Sequence, residues 1–145
     1  MKKQEIIENI KVRAEGNLVE LLDRSERRLY VTLKKDSLSR IAKYIFKDVG
    51  ARFSTASGVD TRETVEILYH FSVDSIGLML TLRVILDKKD LVVDSLAPIM
   101  KCAEWIEREI HEMFGVDFKG HPNLAHLLLK DDWPEGNYPL RRDSK

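Results

Sequence analysis

The chain has 145 residues, 43% hydrophobic and 33% charged, which fits one folded domain with a real core rather than disorder. Lys plus Arg and Asp plus Glu balance at 24 each, so no net field draws in a nucleic acid. The single cysteine, Cys102, rules out an internal disulfide, and the chain alone cannot build a Cys-ligated iron–sulfur cluster or Cys-rich zinc site.

The N-terminal segment MKKQEIIENIKVRAEG is charged throughout and does not read as a signal peptide. Ile6, Ile7, Ile10 and Ala14 recur at helical spacing until Gly16 and Asn17 stop the pattern. NLVELL and RRLYVTL, separated by DRSE, predict a hairpin with Leu29, Val31 and Leu33 on its buried face. DSLSRIAKYIFKDVGA predicts a helix capped by Asp36 or Ser37, with Leu38, Ile41, Ala42, Ile45 and Val49 as its apolar stripe and Gly50 as its stop.

RFSTASG predicts a short strand running into a glycine turn. RETVEILYHFSVD then alternates, with Val65, Ile67, Tyr69, Phe71 and Val73 on one side. GLMLTLRVILDKKD repeats the period with Leu78, Leu80, Leu82, Val84 and Leu86. These two strands predict an antiparallel pair with one face covered by helices. The apolar run around them, IGLMLTLRVIL, is broken by Arg83 and falls short of the ~18–20 residues that span a bilayer. A soluble, cytoplasmic chain is expected, with room for peripheral membership of a membrane complex.

DSLAPIMKCAEWIEREIHEMFG predicts a second strong helix, capped by Asp94 or Ser95, with Pro98 in its first turn and Gly115 at its end. Its stripe is Ile99, Cys102 or Ala103, Ile106, Ile110, Met113 and Phe114; a lone cysteine there reads as a small core residue. Three of the four prolines follow, and only NLAHLLL looks helical. The sum is an α+β fold: an antiparallel sheet with helices packed on one face over residues 1–118, and an extended C-terminal arm over 119–145.

His111-Glu112 begins as zinc-hydrolase helices do, but the second His would stand where Gly115 is. His70, His121 and His126 fit no standard zinc spacing, so no metal site is expected. There is no Gly-x-Ser-x-Gly elbow and no glycine-rich phosphate loop, so no catalytic residue is singled out. Glu104 and Arg108, Arg108 and Glu112, and Glu107 and His111 are each four apart. Spacing favours a solvated, salt-bridged helix face worth ~0.2–0.5 kcal/mol per pair. The sharper alternative is that Glu107, Arg108 and Glu109 face a partner subunit, where Arg–carboxylate contacts fix register.

In the arm, Trp133, Tyr138, Leu140 and HLLL are large apolar groups among turn residues. Such a tail folds back over the domain or wraps a partner, and its composition leans to the partner. Residues beyond Gly120 are therefore expected to be poorly ordered, or packed against another chain, in the isolated protein.

AEWIEREIHEMFGVDFKGHPNLAHLLLKDDW followed by YPLRRD resembles the signature region of the family of NADH dehydrogenase C subunits. That family is the small hydrophilic peripheral-arm subunit of respiratory complex I, with close relatives in membrane-bound energy-converting [NiFe] hydrogenases. The match runs through Ala103, Trp105, Glu107, Arg108, Glu109, Glu112, Met113, Phe114, Gly115, Gly120, His121 and Pro122. It closes on Pro139, Leu140, Arg141, Arg142 and Asp143. Family members carry Arg, Lys or Pro four residues after the Gly-His-Pro His, and often Arg next to it. Ala125 and His126 stand there instead, which implies that a partner contact made by those basic residues is altered.

The resemblance implies a non-catalytic structural subunit with no cofactor in this chain. It implies docking onto a large catalytic subunit and iron–sulfur subunits that carry a [NiFe] centre and the clusters. Partner-docking residues on this reading are Trp105, Glu107, Arg108, Glu109, His121, Pro122, Trp133, Tyr138, Pro139, Leu140, Arg141 and Arg142. Membrane association is then indirect, on the cytoplasmic side of the cell membrane. The tail DDWPEGNYPLRRD is similar to hydrogenase-type members, and complex I members often extend beyond it. The expected branch is an energy-converting hydrogenase, with the C subunit of an NADH:quinone oxidoreductase as the alternative.

Overall fold

The computed structural model describes residues 1–143. Helix α1 (Lys3–Ala14) buries Ile6, Ile7, Ile10 and Ala14, the residues that its periodicity marks. Strands β1 (Leu18–Ser25) and β2 (Arg28–Leu33) form the expected hairpin, but its turn is at Glu26 and Arg27, so the DRS of DRSE belongs to the strand.

The next helix is shorter than its pattern. A 3₁₀ turn over Lys35–Ser37 leads into α2 (Leu38–Lys43), and a π-helical turn over Tyr44–Asp48 closes it. Neither Asp36 nor Ser37 caps it; the Ser37 hydroxyl donates to the Lys34 carbonyl at 3.1 Å. The widened turn brings Tyr44 into the core, where Arg13 lies 4.4 Å from its ring centre.

Strand β3 (Arg52–Asp60) runs through Gly58, which sits in the strand and not in the expected turn. Strands β4 (Thr64–Val73) and β5 (Leu78–Asp87) alternate as their sequences predict. The five strands order as β1-β2-β5-β4-β3. All neighbours are antiparallel except β2 and β5. That one parallel pair arises because the chain leaves β2 through α2, adds the β3–β4 hairpin, and returns beside β2 in the same direction.

One face of this sheet, with Leu29, Val31, Val65, Ile67, Phe71, Leu80 and Val84, packs against the helices in a continuous core. Each such fully buried side chain is worth roughly 1.5–3 kcal/mol. The opposite face is half-buried, and there His70 bridges Thr81 at 3.0 Å and Ser57 at 3.3 Å.

Helix α3 (Glu104–Phe114) starts later than the sequence pattern suggests. Residues after Ser95 form turns, Met100 is extended at φ −132° and ψ 97°, and a 3₁₀ turn over Lys101–Ala103 precedes the helix. Two short parallel strands, β6 (Val92–Asp94) and β7 (Asp117–Lys119), clasp the segments before and after α3. Phe114 holds the helix on β3: a Cβ at Gly58 would come within 2.5 Å of the Phe114 ring. Gly58 is thus the gap that lets the ring reach the strand backbone. Among the described residues, no helix is long and apolar enough to cross a membrane.

Candidate docking site on the third helix

The acids of α3 do not form the solvated salt-bridge ladder that their spacing suggested. Glu107 is fully buried and Glu112 is 2% exposed. Glu107 belongs to the stripe Ala103, Ile110 and Phe114, all buried, so the helix turns this carboxylate inward.

A buried carboxylate must find donors. One oxygen of Glu107 accepts the Ser95 hydroxyl at 2.6 Å, and the other accepts the Leu96 N–H at 2.8 Å. The Ser95 oxygen accepts the Ala97 N–H at 3.1 Å. Ser95 therefore closes its own turn against Glu107 and does not cap a helix. Burial pushes the Glu107 carboxyl above its ordinary range, and the Ser95 and Leu96 hydrogen bonds offset only part of that push. Burial, and then the Glu107 charge, also hold the Tyr69 phenol well above its usual value.

The His121 imidazole is buried 3.9 Å from Glu107. Its Nε2 donates to the Glu104 carbonyl at 2.8 Å, and its Nδ1 accepts the Asn123 N–H at 2.9 Å. Those two bonds define the neutral Nε2–H tautomer. His111 does not pair with Glu107; its Nδ1 donates to the Val116 carbonyl at 2.7 Å.

Glu112 meets a different environment. Its two oxygens accept the N–H groups of Leu127 at 2.5 Å, Leu128 at 2.8 Å and Leu129 at 3.1 Å. NLAHLLL is not the helical turn expected: its last three residues, Leu127, Leu128 and Leu129, form bends whose successive amides converge on one carboxylate. Burial pushes the Glu112 carboxyl up, but the three amides and His126 outweigh it and leave it below its ordinary range. Arg108 pairs with neither Glu104 nor Glu112. Its guanidinium donates to the carbonyls of Ala125, at 2.9 Å, and His126.

The arm therefore folds back on α3, against the expectation of a disordered or partner-wrapped tail. The Leu140 N–H donates to the Met113 carbonyl at 3.1 Å, and the Arg142 N–H to Asp60 at 2.9 Å. The Tyr138 ring covers Gly115, whose φ of 80° ends the helix and where a Cβ would come within 2.6 Å of the ring. Trp133 donates to the Asn137 carbonyl at 2.7 Å, and Arg141 grips Asp143. The boundary expected at 118/119 falls inside β7, and residues 144–145 of the expected arm lie outside the described residues.

The expected docking residues thus divide. Glu107 and the His121 ring are inside the fold, and Arg108 is spent on the arm. Trp105 at 69% exposure and Leu140 at 57% face outward, as do Pro122, Pro139 and Arg142. Trp133, Tyr138 and Arg141 are half-buried in the arm. Cys102, read from sequence as core, is exposed. Sequence reasoning missed the inward turn of Glu107 although its spacing from Ala103, Ile110 and Phe114 carried the signal. The amides around Glu112 have no side-chain signature at all. Among the described residues, no group of three or more His, Cys, Asp or Glu is placed to hold a metal ion.

Comparison with known proteins places these features in a lineage. The family model for the respiratory-chain NADH dehydrogenase, 30 Kd subunit, matches residues 31–145. The NADH-quinone oxidoreductase C subunit of Citrifermentans bemidjiense is 35% identical over 131 residues, covering 85% of this chain and 79% of that one. Other relatives of that name are longer, the chain spanning between 46% and 59% of them. Formate hydrogenlyase subunit 5 of Escherichia coli is 32% identical over 120 residues, covering 80% of this chain and 21% of that one. A chain in the membrane-bound sulfane sulfur reductase, an archaeal respiratory membrane complex, superposes with a TM-score of 0.82 at 25% identity. That match covers 98% of this chain and 85% of the other.

Proposed function

Since the chain belongs to the family of the respiratory-chain NADH dehydrogenase 30 Kd subunit, we propose that it is a non-catalytic structural subunit of a membrane-bound, complex I-like oxidoreductase. On this reading it docks onto the large catalytic subunit of the peripheral arm. The [NiFe] centre and iron–sulfur clusters lie in partner subunits, and this chain reaches the membrane only through them, on the cytoplasmic side.

One observation carries the reading. Glu107 and Glu112 of the signature helix are consumed in building a rigid element, while Trp105 on that helix and Leu140 on the arm packed against it remain outside. A monomer gains nothing from a fully framed helix that displays a tryptophan, whereas an interface uses such a residue as an anchor.

The hydrogenase-related branch is favoured by the formate hydrogenlyase relative. The quinone-reducing branch is the second reading, favoured by the 35% identity to a C subunit of that class. Deleting the gene and assaying membranes separates them. Loss of hydrogen evolution from a reduced viologen, restored by the plasmid-borne gene, supports the first. Loss of quinone reduction alone supports the second. Membranes that keep both activities contradict the structural-subunit reading.

A further inference from the structure

The groove between α3 and the outer edge of β3 is the part of the molecule that its own fold leaves unfinished. Strand β3 pairs with β4 alone and ends the sheet. Natural edge strands are guarded by charges, prolines or bulges; residues 53–59 of β3 carry no charge and no proline, and one register break between Phe53 and Thr55. The opposite edge, β1, carries Glu20, Asp23 and Arg24, has two register breaks, and is capped where Lys3 donates to the Ser25 carbonyl.

Two hollows lie end to end along this edge. One, of about 280 Å³, lies between Phe53, Ser54, Thr55 and the Trp105–Ile106 side of α3. The other, of about 170 Å³, lies between Ala56, Ser57, Gly58 and Met113, Phe114 and Leu140. Consecutive strand residues point to opposite faces, so the hollow that touches Ala56, Ser57 and Gly58 in a row opens onto the strand edge itself, and the other lies at the irregularity between Phe53 and Thr55.

Glu109 lines both hollows. It is half-buried, and its carboxylate has no hydrogen bond or ion pair among the described residues. That sets it apart from Glu107 and Glu112, whose oxygens are fully engaged.

We propose that this groove receives an extended segment of a partner subunit that adds to the β3 edge and sets a basic side chain, between apolar neighbours, against Glu109. The backbone edge supplies ladder bonds, the Trp105 and Leu140 ends take the apolar neighbours, and Glu109 fixes the register. A second copy of this chain fits poorly. The exposed stretch of β3 from Phe53 to Val59 has no basic residue, so self-pairing brings no counter-charge to Glu109.

The proposal rests on membership of a multi-subunit redox complex, and its test separates the two ideas. A benzophenone side chain is placed at Ser54, and as a control at Val12 on the exposed side of α1, in the full chain expressed in its own cells. After irradiation of membranes, the tagged chain is purified and its adducts are sequenced. The expected adduct from Ser54 is a peptide of a co-purifying redox subunit with Lys or Arg between apolar residues, and Val12 yields none. In parallel, Glu109→Lys is expected to lower recovery of that subunit about tenfold or more. An adduct from Ser54 to a second copy or to an acidic segment overturns the proposal. So does silence at Ser54 while the redox subunit still co-purifies, or full recovery with Glu109→Lys. Should that variant unfold, the Ser54 adduct decides. If no redox subunit co-purifies with the wild-type chain, the underlying reading falls as well.

Discussion

Both carboxylate oxygens of Glu112 accept the backbone N–H of Leu128, at 2.8 and 3.3 Å. With Leu127 and Leu129 added, one side chain on α3 organises three consecutive residues of the arm. The C-terminal segment therefore does not need a hydrophobic core of its own, because it is hung on the helix by charge-assisted bonds.

Removing that acceptor is expected to free the arm. Glu112→Ala leaves three amides without their anion, and bonds to charged groups are worth about 1.5–3 kcal/mol each before losses overlap. A net destabilisation of about 2–4 kcal/mol by urea unfolding is expected. Limited proteolysis should cut between residues 121 and 140 in the variant before it cuts the sheet. An arm that stays as resistant as wild type contradicts this picture.

The two buried glutamates of α3 should respond to pH with opposite signs. Glu112 sits below its ordinary value, so the stability it contributes is present above about pH 4.3 and is lost as pH falls through its folded-state value. Glu107 sits above its ordinary value, so folding favours its protonated form, and stability is lost as pH rises from about 4.3 through its folded-state value. Urea midpoints from pH 4 upward should therefore show Glu107→Gln gaining on wild type as pH rises, and Glu112→Gln falling behind it. Parallel curves for the two variants would count against the assignment.

At Gly58 the expected effect is steric. A Cβ there meets three ring atoms of Phe114 at 2.5 to 3.0 Å. Gly58→Ala should cost about 1–3 kcal/mol, as overpacking does. Phe114→Leu in the same chain should recover part of that loss, and a double-mutant cycle measures the coupling. Additive effects would mean that the ring does not lie on this glycine.

Trp105→Ala should leave the fold alone. The side chain is mostly exposed, and such substitutions stay within about ±0.5 kcal/mol. An unchanged thermal midpoint is the expected result; a large drop would mean that Trp105 completes the core and is not held out for a partner.

Much of the fold was legible because alternation and helical spacing follow burial directly: the stripes of α1, β4 and β5 read as they stand. The shortfalls share a cause. Glu104, Arg108 and Glu112 have ideal spacing for surface pairs, and a rule for isolated helices has no knowledge of the arm that arrives from residues 120–142. Cys102 sits in an apolar neighbourhood in sequence, but the break at Met100 starts the helix late and turns it out. The parallel register of β2 and β5 depends on where a distant hairpin docks, which no local pattern encodes.

The central claim is tested most directly by native purification from mildly solubilised membranes, with wild type and Trp105→Ala side by side. Mass spectrometry of the wild-type eluate should find a large redox subunit in equimolar amount. The Trp105→Ala eluate should contain the same folded chain with that subunit strongly depleted. Recovery of the wild-type chain only as a free monomer would contradict the assignment outright.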